Sequence, residues 1–168
     1  AEAAEADLRA LIPDMERVKG KDHPDTLTTR ATIARALLDQ GKAEAAEADL
    51  RSLLPATERV MGKDHPHTLT TRWVAAQAAL AQGKAPAARG IMPAGPASAA
   101  PKDCGRAALL RGWCADLEGD AAAADRDLAE AAAALAPLLP EHYLRRELAR
   151  YLATRRPGQA GGSTNGMA

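Results

Sequence analysis

Residues 1–30 read AEAAEADLRALIPDMERVKGKDHPDTLTTR, and residues 43–72 read AEAAEADLRSLLPATERVMGKDHPHTLTTR. An offset of 42 lays Ala1 to Arg30 on Ala43 to Arg72. The likeness then runs on, through a looser stretch, into Asp39-Gln40-Gly41-Lys42 and Ala81-Gln82-Gly83-Lys84. Self-similarity at a fixed period is the mark of architectures in which one supersecondary unit stacks on the next. Within the unit, Leu8, Leu11, Ile12, Met15 and Val18 recur at three- and four-residue spacing, as do Ile33, Ala34, Leu37 and Leu38. Each unit therefore holds two amphipathic helices. The Gln-Gly-Lys punctuation predicts a helix stop at Gly41 and a tight turn into an antiparallel partner. The Gly-Lys-Asp-His-Pro stretch reads as a loop feeding the next helix, because proline suits a first helical position.

Composition agrees with this reading. The 168 residues include no Phe, two Trp and two Tyr, while about a quarter are alanine; thin, closely packed helices suit that mixture and β-sandwiches do not. Lys plus Arg and Asp plus Glu balance at 22 each, so no excess charge draws the molecule to nucleic acid or anionic lipid. No apolar run reaches the roughly 18 to 20 residues of a membrane span, and no signal peptide opens the chain, which predicts a cytoplasmic protein. Cys104 and Cys114 form neither a disulfide framework nor a metal or redox motif and are read as reduced thiols.

The G-K-x-E-A-E-x-x-L-R run, the G-x-D-H-P-D-T-L connection and the Q-G-K turn together resemble the tetratricopeptide repeats, in the 42-residue form of the kinesin light chains and many bacterial multi-repeat proteins. The resemblance covers residues 1 to about 84. It implies an all-α fold, a short right-handed α-solenoid of antiparallel helix pairs, and a scaffold or adaptor role with no catalysis and no cofactor.

Residues 85–102 carry too many prolines and glycines for a regular second helix and predict a short helix followed by irregular chain. Gly112, Gly119, Ala124, Leu128 and Ala131 then revive the packing pattern, predicting a third helix pair near 103–118 and 120–138. Glu141 to Thr154 reads as a capping helix, and residues 156–168 as a disordered tail. Pro13 and Pro55 fall inside second helices whose apolar period continues through them, which predicts a bend rather than a break. The series starts within a unit and without an initiator Met, which points to a first helix upstream. The face of residues 1–20 that such a helix would cover, including Ala3, Ala4, Leu8 and Leu11, is expected to stack on further repeats or on another chain.

Candidate chemistry is sparse. Asp64-His65-Pro66-His67 is the only run with metal-ligand character, but the equivalent Asp22-His23-Pro24-Asp25 marks it as a structural loop, with Asp22 and Asp64 or a neighbouring side chain accepting from first-turn N–H groups. No base stands near Cys114 in sequence, and no phosphate loop or catalytic motif occurs. No catalytic or metal site is therefore assigned. In the family the resemblance names, first helices line a concave groove. Registration through Gly41, Gly83 and Gly119 then puts Thr28, Ala31, Arg35, Leu38 and Asp39, then Thr70, Trp73, Gln77 and Leu80, then Arg106, Leu109, Trp113 and Asp116 on that groove. Of these, Thr28, Arg35, Asp39, Thr70, Trp73, Gln77, Arg106 and Trp113 are the expected contacts for a protein or peptide partner, since Trp and Arg dominate binding hot spots. Nucleic acid and membrane are not expected partners. A second reading makes the chain the sensor arm of a larger bacterial signalling ATPase or transcription regulator.

Overall fold

The computed structural model describes residues 2–93, 95 and 100–155, without the side chains of residues 2–4; the expected tail and the Ala3 and Ala4 contacts lie outside them. The described residues are helical, with no strand, and fall into two compact units, Ala1–Pro93 and Ala94–Ala168. The boundary lies in the proline- and glycine-rich stretch.

Unit 1 holds α1 (Glu2–Lys19), α2 (Pro24–Asp39), α3 (Ala43–Met61), α4 (Pro66–Leu80) and α5 (Ala85–Ile91). Each helix packs on the next, and α2 also meets α4. Leu27, Ile33, Ala34, Leu37, Ala46, Leu50, Leu53, Val74, Ala75 and Ala78 form the core, with Leu8 and Ile12 of α1 against it. The stop at Gly41 has a definite cause. Its φ of 79° lies in the left-handed region, which lets Lys42 N–H reach the Leu37 carbonyl and Gly41 N–H the Leu38 carbonyl, both at 2.9 Å. Gly83 repeats the arrangement with Lys84 donating to Ala79.

The loop side of the repeat is closed by histidine. His23 Nδ1 accepts from Asp25 N–H at 3.1 Å, and His65 Nδ1 accepts from His67 N–H at 3.2 Å. The neighbouring imidazole, not Asp22 or Asp64, is therefore the cap; Asp22 instead pairs with Arg59 of α3 at 2.6 Å. Helices α1 and α3 run unbroken through Pro13 and Pro55, which leaves the carbonyls of Arg9 and Arg51 without their usual donor four residues on.

Unit 2 holds α6 (Pro101–Glu118), α7 (Ala121–Leu135) and α8 (Tyr143–Thr154), each packed on the other two. Gly105 and Gly112 let α6 and α7 approach: a Cβ at Gly105 would lie 2.4 Å from Leu135 Cγ, and one at Gly112 2.8 Å from Leu128 Cγ. His142 caps α8 as its counterparts do in unit 1, accepting from Leu144 N–H at 3.3 Å.

Candidate functional site

The first-helix register positions of unit 1 do come together. Arg35 of α2 donates through Nη1 to Gln77 Oε1 of α4 at 3.1 Å and through Nε to Asp39 Oδ1 at 3.1 Å. Arg35 and Gln77 stand one repeat apart in sequence, so the bond joins equivalent positions of successive first helices. Arg35 and Gln77 are half-buried, while Asp39 and Thr70 are exposed and Thr28 is half-buried. The result is a polar strip along α2 and α4 in which the guanidinium is already oriented by two partners. Fixing a long side chain in advance lowers the entropy lost when a ligand binds to it.

Trp73 requires a correction. Its side chain is only 3 % exposed, so it offers no ring to a partner. It has the register of Ala31, but an indole there gains far more from leaving water than a methyl does. Its Nε1 is buried without a hydrogen-bond partner, a cost that the apolar burial must offset.

In unit 2 the chain's own α8 engages the corresponding, half-buried Arg106 and Trp113. Arg106 donates to Tyr143 Oη and its guanidinium lies 5.7 Å from that ring's centroid. Trp113 packs on Tyr151 with centroids 5.1 Å apart. Asp116 accepts from Tyr151 Oη at 2.6 Å and from both Nε and Nη2 of Arg155, whose Nη1 reaches Asp125 at 2.5 Å. Burial and the Asp116 carboxylate push the Tyr151 phenol above its ordinary value, and hydrogen bonds to Asp116 and Asp125 raise Arg155. Tyr143, Tyr151 and Arg155 were missed because a helix read as a cap could not be placed on α6 from sequence alone.

A second polar cluster joins Glu47, near the start of the second unit, to the Gln-Gly-Lys turn at its end. Glu47, buried on α3, accepts from Lys84 at 2.7 Å, Gln82 at 2.8 Å and Arg51 at 2.5 Å. The Lys84 hydrogen bond, chiefly, holds its carboxyl below the usual range against the opposing effect of burial. The first repeat is looser: Glu5 has Arg9 at 3.0 Å, Lys42 turns to Gln40, and Gln40 Nε2 is buried without a partner. Lys19 and Asp25 pair at 2.5 Å, and that bond holds the Asp25 carboxyl low; both positions change together in the second repeat, to Met61 and His67.

Metal chemistry gains no support. His65 and His67 stack at 5.5 Å with His65 Nδ1 spent on the cap, and no group of three His, Cys, Asp or Glu that could hold a metal occurs among the described residues. Nor is any described helix long and apolar enough to cross a membrane.

Successive helix pairs, closed by the same glycine turn and opened by the same capped loop, define a helical repeat protein. Residues 26–67, which take in most of α2, its turn and all of α3, match the family model described as a tetratricopeptide repeat. The chain thus carries a tetratricopeptide repeat over that segment. No curated protein matches the chain.

Proposed function

We propose that the strip formed by α2 and α4 binds a peptide or helix of a protein partner, and that the chain serves as an interaction module. The bond from Arg35 to Gln77 carries the reading, since it holds an oriented guanidinium, with the exposed Asp39, across two first helices at once. Such a surface offers donors and acceptors at one-repeat spacing, which suits the regular backbone and side chains of an extended or helical segment. Peptides selected from a random display library on the immobilised chain test it: their affinity should fall about tenfold or more in Arg35→Ala. Undiminished binding would reject the assignment.

A second contact is favoured by a separate observation. Leu11 and Leu53 hold the same place in successive repeats, yet Leu53 is 1 % exposed and Leu11 is 52 % exposed. Helix α3 lies between α2 and α4, whereas among the described helices α1 packs on α2 alone. The bare side of α1 therefore suits stacking by a further first helix, from more repeats or from another chain.

A further inference from the structure

We propose a distinct binding site at Pro13, which takes a partner peptide presenting one aliphatic side chain next to a single glutamate or aspartate. The cleft has a volume of about 350 Å³ and is lined by Arg9, Ile12, Pro13, Arg30, Ile33 and Asp49, from α1, α2 and α3. One repeat later a cleft of about 220 Å³ is lined in part by Leu54, Pro55 and Ala75, each 42 residues beyond Ile12, Pro13 and Ile33. The two hollows are thus one feature built twice, and the differences between them identify the occupant.

In the second repeat Arg72 gives both Nε and Nη2 to Glu58 Oε1, at 3.0 and 2.6 Å. The first repeat contains the same two residues, Arg30 and Glu16, but does not join them. Arg30 instead reaches Ser52 Oγ at 3.4 Å, near the outer limit of a hydrogen bond, and lies on the cleft lining. The second repeat therefore shows the acceptor this arginine takes, and the first leaves that acceptor to be supplied by a partner's carboxylate. A guanidinium accepts such a group through its forked N–H donors, more selectively than an ammonium would.

The rest of the lining sets the remaining chemistry. Ile12, Pro13 and Ile33 form an apolar wall for one aliphatic side chain. Arg9 is held by Glu5. Asp49 repels a second carboxylate and accepts a peptide N–H, so a run of acidic residues is disfavoured. The site shares no residue with the Arg35–Gln77 strip, so the two assignments stand or fall separately.

Methyl and amide NMR of the full chain with acetyl-Leu-Glu-amide and acetyl-Leu-Gln-amide tests the assignment. The Glu peptide should give saturable shifts at Ile12 and Ile33 with an affinity about fivefold above that of the Gln peptide. The preference should vanish in Arg30→Gln and persist in Arg72→Gln, with unchanged circular dichroism showing that the fold survives. Equal affinities in the unaltered chain, absence of saturable shifts at millimolar peptide, or a preference that survives Arg30→Gln would each overturn it. The comparison of the two peptides in the unaltered chain decides the matter even if Arg30→Gln disturbs folding.

Discussion

Leu11 and Leu53 are an internal experiment in burial, because the same residue in the same repeat position is bare in one helix and enclosed in the other. Leu53→Ala removes a side chain that is 1 % exposed within the core formed by Leu27, Leu37 and Leu50. A Leu→Ala change at such a site loses the transfer free energy of the deleted carbons and leaves a cavity, together about 3 kcal/mol. Leu11, with 52 % of its surface in water, forfeits only the buried share of the transfer energy and leaves no enclosed void, so about 1 kcal/mol is expected. The difference of about 2 kcal/mol corresponds to roughly a thirtyfold difference in the unfolding constant. Urea unfolding followed by Trp73 fluorescence in a Trp113→Phe background reads unit 1, which contains both leucines. Equal losses from the two substitutions would refute the claim that the outer side of α1 is uncovered.

Three further outcomes follow from particular contacts. Gly105→Ala should lower stability by about 1 kcal/mol in a thermal melt although alanine is the better helix former, because its Cβ would meet Leu135 Cγ at 2.4 Å; a raised melting temperature would contradict the close approach of α6 and α7. Glu47 has a folded-state carboxyl held below its ordinary value, so its contribution is present above the ordinary carboxylate range and is lost as pH falls through the folded value. Glu47→Gln should therefore flatten the fall in urea midpoint between neutral pH and about pH 4, and an unaltered slope would exclude Glu47 as its source. His23→Ala and His65→Ala should each cost about 1 kcal/mol through loss of an N-cap, as measured by chemical denaturation, whereas His67→Ala should cost much less; equal effects from all three would rule out the imidazole caps.

Much of the fold could be read in the sequence because its signals are local. The offset of 42, the Gly41 and Gly83 stops and the Pro24 and Pro66 starts depend on backbone preferences within a few residues of each position, and the helices fall where those preferences place them. Continuity through Pro13 and Pro55 was legible for a related reason: the apolar period on both sides keeps one face toward the core. Arg35 and Gln77 meet because equivalent residues of a repeat occupy equivalent places on successive first helices.

What the sequence did not reveal depends on partners distant in the chain. Trp73 has the register of a surface position, but its size and apolar surface draw it out of water, which its place in the 42-residue repeat does not report. The cover that Tyr143, Tyr151 and Arg155 place over α6 depends on how α8 docks, and an amphipathic helix can dock on either neighbour. Arg30 and Arg72 are the same residue in nearly the same local sequence, with different partners; only coordinates separate the pinned guanidinium from the one left on a cleft.

Mapping a library-selected peptide on the full chain by NMR shows whether the strip along α2 and α4 is the partner-binding surface. The largest shifts should fall on Thr28, Arg35, Asp39, Thr70 and Gln77, with little change at Arg106, Trp113 and Asp116, which α8 already engages. Shifts confined to other surfaces, with the Arg35 and Gln77 side-chain signals unmoved at saturation, would contradict it.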